Sequence, residues 1–388
     1  MFDNDWEKCL QCGLGRYIMR MDDADDATDD AEVEEVAKVM WEYHDLVNVI
    51  FDYYAAMGAS DDVTHIGPNA FSQFANDCQL IDKHSEWCKA TAFDQLFIAV
   101  DASSAGGKTS ERFNRKKALN RQEFVQCLVK IACMRYVMNG TIVDVSEAVY
   151  RMFSSDIEPR LDKKVFAEPN DYRTRFCYVE TTDQVLRRYE PTLRLIWARA
   201  CVLDGQSAAK GVANKMVSYE SWKDLCRMFE LVSDGDVTER DVTLSFIMSR
   251  MRVIDEQKDR SRIILTHLAF EDFLEALCRL CVRKVVPTPD DIKKLNERLD
   301  DETPPVENAG QFILKMRDAE PDAYDNLIQA RCRSWGTEPS MPFAVCLESL
   351  ISLLIVTCQM GLNGTEQGDG KALTEKQVNA FMKVSATN

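Results

Sequence analysis

The chain has 388 residues, 46% of them hydrophobic and 29% charged, which makes it globular with room for two or three domains. Its net charge of −17 argues against nucleic acid as a partner, because neutralising phosphates takes clustered Lys and Arg. The first residues carry Asp3, Asp5 and Glu7 where a secretory leader would be apolar, so a cytoplasmic chain is expected, with its 14 cysteines reduced and mostly buried.

In chain order, residues 1–35 form an acidic N-terminal segment, with nine acids in the fourteen positions 22–35. Within it, Cys9 and Cys12 make a CxxC. Zinc needs four converging ligands, and neither a second local pair nor the scattered His44, His65, His84 and His267 supplies them. Val36, Val39, Met40, Tyr43, Val47, Ile50, Phe51 and Tyr54 recur at helical spacing and predict one long amphipathic helix. Residues 139–179 contain Gly140, Pro159 and Pro169 and read as a connector. "SDGDVTERD" brings Asp234, Asp236, Glu239 and Asp241 together; the spacing predicts a short loop and a helix capped by Thr238, with Asp241 three residues on. "RIIL" at 262–265 is the best short-strand candidate in a chain with almost no alternating pattern. From 287 to 388 the chain reads as a helical C-terminal region, opened by Thr288 before an acidic turn and closed by a helix that Thr374 caps. Its apolar stretch 342–360 holds Glu348, Ser349, Ser352 and Gln359, which suits a buried core helix and not a membrane span.

The chain repeats itself. Phe97, Leu119, Phe124 and Leu128 stand 149 residues before Phe246, Leu268, Phe273 and Leu277. Upstream, Val39, Tyr43, Val47, Ile50 and Phe51 stand 146 before Val185, Tyr189, Leu193, Ile196 and Trp197. Phe71, Phe74 and Ile81 stand 151 before Trp222, Leu225 and Val232. Small changes of offset fall in loops while apolar positions persist, which defines two modules, 36–138 and 180–286. Each reads as two units of helix, polar loop, one apolar residue, four residues, Phe, helix. Phe97, Phe124, Phe246 and Phe273 are expected to close the cores of these modules; the competing reading lines a groove for a partner helix.

That order resembles an EF-hand. A calcium-binding EF-hand takes oxygen ligands from positions 1, 3, 5, 7, 9 and 12 of its loop, with Gly at 6. With Leu119 at position 8, the second loop puts Arg112, Asn114, Lys116 and Lys117 at 1, 3, 5 and 6, which repels a cation. With Leu268 at position 8, the fourth loop puts Ser261, Ile263 and Leu265 at 1, 3 and 5. Ile66 and Val217 take position 8 in the first and third loops, where Ala70 and Ser221 replace the bidentate acid at 12. No cofactor is expected, and calcium is disfavoured.

"LNRQEFVQCLVKIACMRY", "LAFEDFLEALCRLC", "FDYYAAMG" and "FIMSRMRVID" together resemble the degenerate tandem EF-hand, calmodulin-like helical proteins found in protist cilia and flagella. The resemblance covers about 36–290. It implies a mainly α fold of two tandem EF-hand-like helix–loop–helix pairs with a helical C-terminal region. It further implies a non-enzymatic structural or adaptor protein of the cytoskeleton, placed in the axoneme and bound to other proteins. The alternative is a cytosolic calcium-responsive regulator with one atypical site. No dinucleotide, metalloprotease or nucleophile-elbow motif points to an enzyme, and the phosphate-loop-like "SSAGGKTSE" has Ala102 where the first Gly would stand. Residues 102–118 carry Lys108, Arg112, Arg115, Lys116 and Lys117 against one acid, Glu111. A solvated loop and an electrostatic contact with an acidic partner such as tubulin both account for this basic insert.

Overall fold

The computed structural model describes residues 1–21, 29–58, 62–105, 115–203, 215–232, 235–300, 302–363 and 369–385. The chain is mainly helical and forms two compact units. The first is Met1–Phe166 with Arg252–Leu265; the second is Ala167–Met251 with Thr266–Asn388. The division at 166/167 falls inside the 139–179 segment, and the whole C-terminal region belongs to the second unit.

In the first unit, α1 (Phe2–Gln11) and α2 (Leu14–Met21) are joined at Gly13, whose φ of +89° favours glycine. Next come α3 (Asp29–Glu42), α4 (His44–Ala55), α5 (Pro68–Asp77), α6 (Ala90–Ala105), α7 (Arg121–Ala132) and α8 (Val145–Arg151). Helix α8 packs on both α3 and α7. The centre is aromatic: Phe124 meets Phe74 at 5.3 Å edge-on and Phe51 at 6.0 Å, and Phe97 lies 5.5 Å from Phe71. All are buried.

The single long helix expected from Val36 to Tyr54 is in fact two, broken at Tyr43. The His44 ring takes the Trp41 carbonyl at 2.7 Å, the group to which Asp45 N–H would otherwise donate. Tyr43 turns out to stack on Phe153 at 4.4 Å.

In the second unit, α9 (Pro169–Tyr172) precedes α10 (Glu180–Ala200), α11 (Tyr219–Met228) and α12 (Glu239–Ser249). Helix α13 (Asp259–Thr266) ends the segment that belongs to the first unit. Then come α14 (Phe270–Arg283), α15 (Pro289–Asn296), α16 (Ala309–Ala319), α17 (Pro321–Arg331), α18 (Phe343–Asn363) and α19 (Glu375–Ser385). Trp222 and Phe273 meet at 5.8 Å with perpendicular rings, and Phe246 lies 5.1 Å from Tyr219. Helix α18 packs on α10, α14 and α16. By length and composition α18 could cross a membrane, but 72% of its most apolar window is buried within the structure. Its polar residues are used inside the fold. Ser352 Oγ donates to Asn308 Oδ1 at 2.8 Å and accepts from Gly310 N–H at 3.0 Å. A Cβ on Gly310 would stand 2.6 Å from the Ser352 carbonyl oxygen, so this crossing needs glycine.

Two short strands pair antiparallel in the second unit, β1 (Val217–Ser218) with β2 (His267–Leu268). The strand expected at 262–265 is instead part of α13. Pairing is set two residues later, where the chain approaches Val217 and finds open backbone partners.

Candidate functional site

The loop ends are the part of this chain whose geometry matches the repeat most closely. Ile66 and Leu119 form an antiparallel bridge, with N–H to C=O distances of 2.8 and 2.9 Å. Val217 pairs with Leu268 in the same sense. In all four cases the paired residue stands directly before a helix N-cap: Gly67, Asn120, Ser218 and Ala269. The four apolar residues that sequence placed at one loop position are thus brought together in pairs.

Each bridge leads into a helix N-cap, and in the second and fourth loops the acid at position 12 serves it. Glu123 is fully buried; it accepts from Asn120 N–H at 2.8 Å, while Asn120 Oδ1 accepts from Glu123 N–H at 3.0 Å. Asp272 accepts from Ala269 N–H at 3.1 Å, and burial pushes its carboxyl up. Ser221 N–H donates to Ser218 Oγ at 3.1 Å. In the fourth loop, Ser261, Ile263 and Leu265 at positions 1, 3 and 5 lie in α13, with Leu265 buried.

The first loop has two carboxylates, Asp61, which lies outside the described residues, and Asp62, which is spent locally. Asp62 accepts from Thr64 N–H at 2.8 Å, Thr64 Oγ1 at 2.6 Å and His65 Nδ1 at 2.7 Å. Burial alone would raise this carboxyl, but the hydrogen bonds and charge of His65, with those of Thr64, hold it well below the usual carboxylate range. Arg115 also reaches Asp62, at 3.3 Å.

The basic insert is only partly within view. Lys108 and Arg112 lie outside the described residues. Arg115, Lys116 and Lys117 are exposed. Lys117 has a left-handed backbone, φ +63°, and its N–H donates to the Asp101 carboxylate at 3.2 Å. Asp101 itself belongs to α6.

The acidic stretch after α11 is structural. Thr238 and Asp241 form the capping box that opens α12. Asp241 also takes Arg283 at 2.9 Å. Asp236 is fully buried; it pairs with Lys284 at 3.1 Å and accepts from Val285 N–H at 3.0 Å. Sequence could not see this network, because Arg283 and Lys284 stand more than forty residues away. Asp234 lies outside the described residues.

Further contacts were invisible in sequence. Arg121, buried, grips Asp5 through Nε at 2.5 Å and Nη2 at 3.1 Å, and donates to the Val253 carbonyl at 3.2 Å. Lys8 pairs with Asp255 at 2.7 Å and Arg252 with Asp52 at 3.1 Å. Together these tie 252–256 into the first unit. Cys9 is buried, donates to the Gln122 carbonyl at 3.2 Å, and burial, then the neighbouring Asp5 charge, pushes its thiol up. Such a thiol is inert packing. Carboxylate oxygens of Glu32, Glu35 and Asp144 lie within 4.8 Å of one another. Two of them already cap α8: Asp144 accepts from Glu147 N–H at 2.6 Å and Glu32 from Ser146 N–H at 3.2 Å.

No family model, curated protein or solved structure matches this chain.

Proposed function

We propose that this chain is a non-enzymatic adaptor built on two EF-hand-like modules that keep their shape without calcium. The observation that carries the reading is the use of the loop ends. Four position-8 residues bridge in pairs, and the position-12 acids Glu123 and Asp272 accept from their own helix N-caps. A calcium loop would turn that acid onto the ion. Here the helix cap occupies it, and α13 fills the place of ligand positions in the fourth loop. A module whose loops are closed by protein groups has no ion-driven opening, so it binds its partner constitutively.

The partner class comes from charge and from the resemblance to ciliary calmodulin-like proteins. Other proteins are its ligands, and the cytoskeleton, in particular the axoneme, is its place. Lys116 and Lys117 together with Arg115 offer a small basic face to an acidic surface such as tubulin. Calorimetric titration with calcium in the presence of magnesium tests the ion-independent part. No heat above dilution is expected, and a stoichiometric micromolar site would sink it. Sedimentation with microtubules tests the partner, and loss of binding should accompany Lys116→Glu with Lys117→Glu. Unchanged sedimentation at low salt would remove this face from the contact.

A further inference from the structure

A cavity of about 560 Å³ opens in the second unit between the start of α15, the end of α17 and the loop that leads into α18. That is the size of a small-molecule site, which spans about 300–1,000 Å³. Among the described residues no Asp or Glu lines it, in a chain whose net charge is −17. Its polar lining consists of Arg331, Arg333 and four hydroxyl residues, Thr288, Ser334, Thr337 and Ser340; Val286 and Met341 give it an apolar wall.

The donors divide into those already used and those left over. Arg331 forms a two-point pair with Asp291, at 2.5 and 2.9 Å, so its charge is neutralised. Thr288 Oγ1 donates to the same carboxylate at 2.7 Å, and Thr337 Oγ1 donates to the Ser334 carbonyl at 2.8 Å. Arg333 is different. It is exposed, and its Nη1 donates to the Glu338 carbonyl oxygen at 3.2 Å. The Glu338 carboxylate goes to Arg175 instead. Among the described residues, then, Arg333 meets no carboxylate, and its Nε and Nη2 remain to serve a ligand beside the Ser334 hydroxyl, whereas the Ser340 side chain is hydrogen-bonded to the Cys346 thiol.

We propose that this cavity binds a small phosphate monoester. Arg333 would take two phosphate oxygens through its fork, the Ser334 hydroxyl would donate to the same group, and the organic part would lie against Val286 and Met341. The N-terminal turn of α15 adds a partial positive charge on one side. The C-terminal carbonyls of α17 oppose an anion on the other, which places the phosphate at the Arg333 side. The pocket is independent of the loop-end reading of function, so either can fail without the other.

The test is calorimetry and phosphorus NMR on the full chain at near-physiological salt, with phenyl phosphate, inorganic phosphate and phenol as probes. Phenyl phosphate should bind one per chain, inorganic phosphate more weakly, and phenol not at all. Arg333→Gln should weaken phenyl phosphate by about tenfold or more, with circular dichroism unchanged because Arg333 is exposed. Arg187→Gln, at an arginine that is 75% exposed and does not line the cavity, should change nothing. Absence of phenyl phosphate binding would overturn the proposal. So would equal losses in the two arginine variants, which would mark a general charge effect. Inorganic phosphate binding as tightly as the ester would overturn the assignment of an organic ligand.

Discussion

The two units meet the same physical demands at equivalent positions, and where their solutions differ the difference is informative. Each second helix of a pair ends alike. Gln79 and Glu230, 151 residues apart, both have φ +52°, and the next residue donates back across the turn, Leu80 to Ala75 at 2.8 Å and Leu231 to Cys226 at 2.9 Å. A cation from the end of the last helix then caps the next carbonyl: Arg135 reaches Leu80 O at 3.2 Å, and Lys284 reaches Leu231 O at 3.4 Å. Arg135 and Lys284 are 149 apart, the offset of the repeat. The acid that neutralises each cation is not repeated. Lys284 uses Asp236, upstream of it, whereas Arg135 uses Asp156, downstream, which also takes Arg160 at 2.7 Å and Tyr136. A buried cation must have an acid, but any chain segment that reaches the place can supply it.

The same holds at the other end. Lys130 lies 5.4 Å from the centroid of the Tyr17 ring, and Arg279 lies 4.3 Å from that of Tyr172. The cations keep the 149 offset; the tyrosines stand 155 apart, on segments with no other visible likeness. The first helix lacks the same backbone hydrogen bond in both units but breaks only in the first, since α10 runs unbroken through Pro191. In the first unit His44 takes the Trp41 carbonyl; 146 residues on, Pro191 sits inside α10 and has no N–H to give to residue 187.

Mutation can sharpen or break this comparison. The largest effects should come from what is most buried. Phe124→Ala and Phe273→Ala, at equivalent core positions, should each cost about 3–5 kcal/mol in urea denaturation of the full chain. A near-neutral result at either would mean the units do not share a core plan. Lys284→Ala leaves Asp236 charged and buried, and should also cost about 3–5 kcal/mol. Arg135→Ala leaves Asp156 with Arg160 and Tyr136, so a smaller loss of about 1–3 kcal/mol is expected. Equal losses would show that the second acid's extra partners do not matter.

A smaller, opposite effect belongs to the shared turn. Gln79→Gly and Glu230→Gly relieve a left-handed backbone and should each stabilise by about 0.5–1 kcal/mol, read as a raised melting temperature. If only one stabilises, the turns are not equivalent. The mildest probe is acid. The Asp62 carboxyl is held low against its burial by His65 and Thr64, and the Asp291 carboxyl chiefly by its hydrogen bond from Arg331. Both pKa values are depressed in the fold, so their stabilisation is present above the unfolded carboxyl pKa of about 4 and fades as pH falls below it. Asp62→Asn should flatten that fall for amide exchange in the first unit and leave the second unchanged. A parallel change in both would show that the acid response is not local.

The sequence by itself determined the helical class, the repeat, the aromatic core and the shared loop position of Ile66, Leu119, Val217 and Leu268, but not that these four bridge in pairs. These come from local period and spacing: apolar residues recur as helices bury them, and a cap such as Thr238 with Asp241 lies within four residues of its target. The expectation that calcium is disfavoured also rests on the sequence, since ligand positions are counted along the chain. Tertiary structure alone decided the rest. The break at Tyr43 coincides with one imidazole taking a carbonyl, and the periodicity of apolar residues runs through it unaltered. The strand came two residues later than the β-branched run suggested, because bridge register is set by the partner backbone. The segment 252–265 joined the first unit through Arg121, Lys8 and Asp52, and the buried acids Asp236 and Asp156 met cations at different places along the chain. Pairing of charges inside the fold answers to distance in space, and at separations of 21 to 247 residues the sequence carries no signal of it.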